Sequence, residues 1–132
     1  MTKDPVDFVR QAALMSLAMV LIQQSAAQNP AVTSVRQKFA AVIADKHEDS
    51  MAKFGAALAQ GIIDAGGRNV TVSLLGRNGM KSMNAVVGMA LFCQFWYWFP
   101  LAHCLSLGFA PTALIGLDKD LKVRSFHLAT LL

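Results

Sequence analysis

Three segments in the first half of the chain carry hydrophobic residues at intervals of three and four, the spacing of one helix face. Asp4 and Pro5 predict the start of the first helix, because the carboxylate can cap free amide groups and proline suits the first helical position. This helix is predicted to extend to about Gln24. Its remaining positions are also largely apolar, so we expect both of its faces to be covered.

A second helix is predicted after Asn29-Pro30, which repeats the same start signal. Its apolar residues form one stripe opposite charged side chains, so we expect a half-exposed helix. The stripe consists of Val32, Val35, Phe39, Val42 and Ile43. A third helix is predicted from about Glu48 to Ala65, and Gly66-Gly67 is expected to end it, because glycine adopts the left-handed conformation that closes a helix.

Short strands and turns are predicted in the second half of the chain. Residues 70–74 alternate branched apolar with small polar side chains, as in a strand, and residues 76–79 have the composition of a turn. Two more strands are predicted at residues 113–117 and 121–124, on either side of a turn. The element order therefore predicts a mainly α chain in which a small amount of sheet follows the helices.

An internal repeat relates the first and third predicted helices, since Lys3–Val20 matches Lys46–Ile63 at an offset of 43 residues. Small residues align with small residues, as Ala12 does with Gly55. A period of this length with two helices per unit is typical of an α-solenoid. We therefore predict that Ala12 and Gly55 lie at equivalent buried positions, the alternative being a chance match of alanine-rich helices.

No charged residue occurs in the 36 positions between Lys81 and Asp118. An apolar helix is predicted within this run from about Met83 to Phe99, with a restart after Pro100, because proline kinks or divides a helix. The uncharged stretch at about 85–107 is long enough to span a bilayer, which makes a small membrane protein the alternative interpretation. Its aromatic residues argue against a span, since they lie mid-run, whereas membrane helices place Trp and Tyr at the interfaces.

The composition favours one globular domain. The chain has 132 residues, 55% of them hydrophobic and 15% charged, with two cysteines and a net charge of +4. This composition is not that of a disordered chain, and the cysteine usage favours a reducing compartment. The basic residues are scattered, and Arg77 with Lys81 forms only a thin cluster, so no nucleic-acid partner is predicted.

The sequence contains no pattern typical of a catalytic, cofactor-binding or metal-binding site. His103-Cys104 lacks a metal-ligand or nucleophile partner at a recognised spacing and is expected to pack in the core. Residues 45–49 collect titratable groups but fall between two helices, where we expect a solvated connection. The remaining candidates are aromatic side chains that could act as protein-interface anchors or as core, namely Phe95, Trp96, Trp98 and Phe99.

Several long strings of sequence resemble one protein family. They are residues 4–14, 45–56 and 59–67 and the aromatic string 94–101. Together they make the chain similar, over roughly residues 3–122, to the C-terminal part of the large non-ATPase scaffold subunits of the proteasome regulatory particle, which carry proteasome/cyclosome repeats.

The resemblance implies a non-catalytic scaffold without cofactors or metals, which supports ubiquitin-dependent protein degradation in the cytoplasm and nucleus. It implies an α-solenoid: residues 1–67 would be helical repeat units at the end of a toroid, and residues 68–132 a small C-terminal α+β domain. The implied partners are other regulatory-particle subunits, with no membrane and no nucleic acid. The chain is shorter than the family's members, and we expect it to lack the charged tail and the segment that docks a ubiquitin receptor.

Overall fold

The chain folds as a set of helices with a small two-stranded sheet, in a computed structural model that describes residues 1–67, 69–112 and 116–122. The elements in chain order are α1 (Asp7–Leu21), α2 (Ala31–Ala44), α3 (Ser50–Gly67), β1 (Val70–Val72), α4 (Met83–Phe95), α5 (Phe99–Ala102), a 3₁₀ helix (His103–Gly108) and β2 (Phe109–Pro111). The predicted fold class, mainly α with a small α+β element, is confirmed.

Helices α1 and α3 lie side by side and form the most extensive contact between elements. A Cβ atom built on Gly55 would lie 2.9 Å from the Cα atom of Gln11, and one built on Gly66 would overlap the backbone of Ile22. Both contacts join residues 44 positions apart in the chain. Since eleven residues along α1 correspond to eleven residues along α3, the two helices run parallel, as equivalent helices of consecutive solenoid units do.

Helix α2 packs on α3 and runs back antiparallel to it. Arg36, near the start of α2, forms a 2.6 Å ion pair with Asp64 near the end of α3, while a five-residue connection joins the opposite ends of the two helices. The predicted apolar stripe faces the core, with Val32 and Phe39 buried and Ile43 at its exposed margin. The half-exposed second helix is therefore confirmed.

One hydrophobic core joins the first three helices to the elements that follow them. Its centre is formed by α1 and α3, through residues such as Leu14, Met15 and Ala59. Phe92 of α4 and Leu105 of the 3₁₀ helix belong to the same cluster, and Val72 and Phe109 of the sheet pack against it. The small sheet is thus attached to the helical layer through the apolar side chains of both strands.

The sheet pairs β1 with β2 antiparallel, with Thr71 opposite Ala110. The strand at 70–74 is found in shortened form, whereas β2 lies at residues 109–111, where no strand was predicted. The strands predicted at 113–117 and 121–124 fall largely outside the described residues, so they stay predictions.

Several predicted helix boundaries differ from the observed ones. Helix α3 continues through Gly66-Gly67, and the left-handed residue after it is Asn69, with φ 64°. Gly66 is small because of a close helix contact, since the backbone of Ile22 lies against its Cα. Helix α4 ends at Phe95, several residues before Pro100, which lies in the first turn of α5 instead of dividing a helix.

Candidate interaction surfaces

One side of α1 is open, contrary to the expectation that both faces of this helix are covered. Phe8 is 50% exposed and Val20 is 71% exposed. Between them small side chains line a groove of about 530 Å³, which we call the α1 groove. Its floor includes Ala12, Ala13 and Ser16, and Trp96 lies at its wall.

The repeat explains which side of α1 is open. Moving forward by 43 positions, Ala13, Ser16 and Val20 correspond to Ala56, Ala59 and Ile63 of α3. All three α3 residues are buried in the core formed with α1. The side of α1 that lines the groove is therefore the counterpart of the side by which α3 packs on the unit before it.

Ala12 and Gly55 are equivalent in position and unequal in burial. Gly55 is buried against Gln11, whereas Ala12 is half-buried at the floor of the α1 groove. The expectation that both are buried is therefore correct for Gly55 alone. The difference arises because α1 covers Gly55, while Ala12 borders the groove.

A second, smaller cavity of about 290 Å³ lies between α1 and α4. Met15 and Met19 of α1 face Phe92 and Cys93 of α4 across it, together with Trp96 directly after α4. Ala12, Ser16 and Trp96 line both this cavity and the α1 groove. The two spaces therefore adjoin along one apolar surface.

The four predicted aromatic residues separate into inner and outer members. Trp96 packs against the hydrophobic core, and Phe95 is half-buried. Trp98 is 56% exposed, and its ring makes an edge contact with Phe95 at a centroid distance of 6.3 Å. Phe99 stacks on Phe54 of α3 with ring centroids 4.0 Å apart. Trp96 thus lies in a core position and Trp98 in an exposed one. Their predicted roles as interface anchors or as core stay predictions.

We name the exposed outer rings of Tyr97, Trp98 and Phe99 the aromatic ridge. They lie where α4 ends and α5 begins, since the chain turns at residues 96–98 and directs consecutive side chains outward. Tyr97, the middle residue of the aromatic string, makes an edge contact with Trp96 at a ring-centroid distance of 5.7 Å. Exposed Trp and Tyr side chains are common anchors of protein interfaces.

The polar candidates differ in exposure. His103 is exposed and Cys104 half-buried, so the expectation that both pack in the core is wrong for His103. Cys93 is also exposed. No group of three or more His, Cys, Asp and Glu side chains with the geometry of a metal site occurs in the described part of the chain.

Residues 45–49 form the connection between α2 and α3, as predicted, but one of their side chains does more than cap a helix. Glu48 forms a 2.6 Å ion pair with Arg10 of α1. The same guanidinium donates to the backbone carbonyls of Asp4 and Pro5, at 2.7 and 3.0 Å. Arg10 thereby connects the start of α1 to the loop that precedes α3.

The membrane interpretation has no support in the helices. Within the residues that the structure describes, no helix has the length and apolar character needed to cross a bilayer. The apolar run is divided between α4, α5, the 3₁₀ helix and β2.

Comparison with curated proteins points to one kind of assembly. The chain is 62% identical over 120 residues to the 26S proteasome non-ATPase regulatory subunit 1 of Drosophila melanogaster, a match that covers 91% of the chain. It is 56% identical over 130 residues to the 26S proteasome regulatory subunit RPN2 of Saccharomyces cerevisiae, and 54% identical over 127 residues to the 26S proteasome non-ATPase regulatory subunit 1 homolog A of Arabidopsis thaliana.

The chain is homologous to one segment of these proteasome subunits. It spans only 12% of the length of the Drosophila relative and 14% of the yeast relative. No protein-family model matches it. The resemblance stated from sequence strings is thereby confirmed, and the segment that matches the chain is a small part of relatives several times its length.

Proposed function

We propose that the chain acts as a non-catalytic structural segment of a proteasome regulatory particle, in which it contributes one step of a helical repeat scaffold. The observation that supports this best is the α1 groove, because its residues occupy the same repeat positions by which α3 packs on α1. In this proposal a further helical unit of the same kind covers Ala12, Ser16 and Val20. Residues 1–67 would then belong to the solenoid and residues 68–132 to the domain that follows it.

Two further features support a binding role. The relatives are named as regulatory, non-ATPase subunits of the 26S proteasome. The aromatic ridge offers exposed Trp98 and Tyr97 to a partner. We propose that the partners are other proteasome subunits and that the chain acts in the cytoplasm and nucleus, within ubiquitin-dependent degradation.

A chimera tests this proposal. The matching segment of the yeast subunit would be replaced by this chain, and assembly of 26S particles would be measured by native gel electrophoresis with a peptidase assay. We expect the chimera to assemble, because 56% of the aligned residues are identical. Ser16→Arg should then block assembly, since it places a charge and a long side chain on the floor of the α1 groove.

The matched control is Thr33→Arg, which adds the same side chain to an exposed position of α2. It should assemble as the unsubstituted chimera does. Normal assembly of the Ser16→Arg chimera would contradict the proposal that a helix covers the α1 groove. Failure of the unsubstituted chimera would contradict the proposed function itself. A fourth chimera, with Trp98→Ala, tests the aromatic ridge, where we expect partial loss of assembly without loss of the folded segment.

A further inference from the structure

The segment between β1 and α4 forms a hairpin whose backbone is fixed by several hydrogen bonds. Leu75 pairs with Lys81 in an antiparallel bridge, and the Gly76 amide donates to the Met80 carbonyl at 2.8 Å. At the tip, Gly79 has φ +74°, a conformation that favours glycine. A surface held in this way loses little conformational entropy on binding, so it is preorganised to receive a ligand.

A groove of about 450 Å³ separates this hairpin from the sheet, and we call it the hairpin groove. Leu75 and Arg77 line it on the hairpin side, and Leu107, Phe109 and Pro111 line it on the other. The volume lies within the range of about 300–1,000 Å³ that is typical of ligand clefts. The groove is therefore large enough to receive side chains of a partner.

Exposed apolar side chains lie on the hairpin and at the start of α4. Leu74, Leu75, Met80 and Met83 are all exposed, the two methionines by about two-thirds. Methionine side chains are flexible and polarizable, which suits a surface that adapts to apolar anchors. An apolar patch of this kind on a hairpin is typical of an interaction surface.

The charged side chains of the hairpin, Arg77 and Lys81, are both positive. Arg77 is the charged residue among those that line the groove, and Lys81 follows it on the hairpin. Neither side chain forms a hydrogen bond or ion pair with any other described residue. The chain carries no Asp or Glu between Asp64 and Asp118. A partner with carboxylates would therefore meet unpaired positive charge, which favours both its affinity and its orientation.

The partner cannot bind by extending the sheet beyond β2. The Phe109 amide already donates to the Ser106 carbonyl, and Pro111 has no N–H group. A third strand added there would find no donor at either position. The hairpin groove therefore offers a partner side-chain contacts and no strand addition at the edge of β2.

We propose that the hairpin groove binds an acidic protein segment with large apolar anchors, whose Leu or Phe side chains enter between Leu75 and Phe109 while its carboxylates pair with Arg77 and Lys81. This surface lies outside α1 and the aromatic ridge, so the proposal does not depend on the proposed scaffold role. The concave shape of the groove favours a peptide over a lipid surface as the partner.

Fluorescence anisotropy with the full chain tests this proposal. The probe is a fluorescein-labelled peptide in which Leu and Phe alternate with Asp and Glu. We expect saturable binding that weakens as salt is raised, because the ion pairs are exposed. Arg77→Gln should weaken binding about tenfold, the effect of losing a charge-assisted contact of about 1.4 kcal/mol. Leu75→Ser should weaken it by a similar factor through lost apolar contact.

Lys46→Gln is the matched control, since it removes the same charge from the exposed connection between α2 and α3. Lys46→Gln should bind the peptide within about twofold of the unsubstituted chain. The tenfold loss expected for Arg77→Gln, by contrast, results from losing one charged contact. Equal binding by all three variants, or no binding by the unsubstituted chain, would overturn the proposal. So would equal binding of a peptide with Asn and Gln for Asp and Glu, or of one with Ala for Leu and Phe.

Two further measurements keep the test decisive. Circular dichroism should show unchanged helix content in Arg77→Gln and Leu75→Ser, both at exposed positions, and Met80→Ser replaces Leu75→Ser if the latter unfolds. Amide shifts of Gly76 and Gly79 in an NMR titration should report the peptide. Binding to phosphatidylserine vesicles without binding to the peptide would overturn the proposal and assign the surface to membranes.

Discussion

Two glycines of α3 allow the α1–α3 contact to be tested in one helix. Gly55 is buried against α1, where an added Cβ atom would lie 2.8 Å from Cγ, 2.9 Å from Cα and 3.0 Å from the backbone oxygen of Gln11. Gly61 is exposed, and a Cβ atom there would meet nothing within 4 Å. Alanine at either position gains helix propensity, but only at Gly55 does it also strike a neighbouring helix.

The expected magnitudes follow from these two contributions. Replacing an interior helical glycine by alanine stabilises by about 0.5–1 kcal/mol, so Gly61→Ala should raise the free energy of unfolding by that amount. Two of the three atoms near Gly55 belong to the α1 backbone, so α1 must move away from α3 to admit a methyl group. Overpacking of this kind costs about 1–3 kcal/mol, which leaves Gly55→Ala up to about 2 kcal/mol less stable than the unsubstituted chain.

Urea unfolding followed by circular dichroism measures both variants under the same conditions. The difference between them isolates the steric contribution, because the gain in helix propensity is common to both. We expect Gly61→Ala to exceed Gly55→Ala by about 1–3 kcal/mol, with equal slopes against urea. Equal stability of the two variants would refute the close approach of α1 to α3, and with it the parallel packing of equivalent helices.

Other buried contacts give two more predictions. Gln11 is fully buried, and neither polar atom of its side-chain amide has a hydrogen-bond partner among the described residues. Gln11→Met should therefore stabilise the chain by about 1–2 kcal/mol in thermal unfolding. A loss of stability would show that the amide does form hydrogen bonds. Arg10→Gln should destabilise by about 1–3 kcal/mol, because a largely buried ion pair with Glu48 and bonds to two carbonyls are lost. Its control, Arg36→Gln, removes an exposed pair with Asp64 and should change stability by less than about 1 kcal/mol; equal effects of the two substitutions would contradict this ranking.

The sequence predicted a helix well where a helix-start signal and an apolar stripe indicated the same segment. Asn29 Oδ1 accepts a hydrogen bond from the Ala31 amide at 2.9 Å, and α2 begins at Ala31. The stripe that ends at Ile43 then places Val32 and Phe39 in the core. Both signals lie within one helix, so no knowledge of neighbouring elements was needed.

The errors arose where a residue serves a contact between elements. Gly66 has the composition of a helix stop, yet it is helical and small because Ile22 approaches it. Pro100 is a residue that predicts a break within a helix, but it lies in the first turn of α5, after the chain has already turned. β2 begins at Phe109 after a 3₁₀ helix, within a run whose uniform apolar character gives no alternation to identify a strand.

The candidate surfaces were only partly predictable for the same reason. The aromatic string was visible in the sequence, but its division between the core position of Trp96 and the exposed position of Trp98 depends on the turn after α4. The hairpin groove could have been suspected from Arg77 and Lys81 beside Met80, a cluster too thin to indicate nucleic acid. Its apolar wall comes from β2, which the pattern did not reveal.

The sequence repeat and the contacts between α1 and α3 have offsets that differ by one residue, and this difference indicates which side of each helix packs on which neighbour. The sequences match at an offset of 43, whereas Gly55 touches Gln11 and Gly66 touches Ile22, each 44 positions away. The contact offset differs from the sequence offset because each helix in a layer packs on the preceding unit with one side and on the following unit with another. Gln11 and Ile22 lie on the second side of α1, which is buried, and Ala12 lies on the first, which lines the α1 groove. The first side of α1 corresponds to the side by which α3 packs on α1, which supports the proposal that a further helical unit covers the α1 groove.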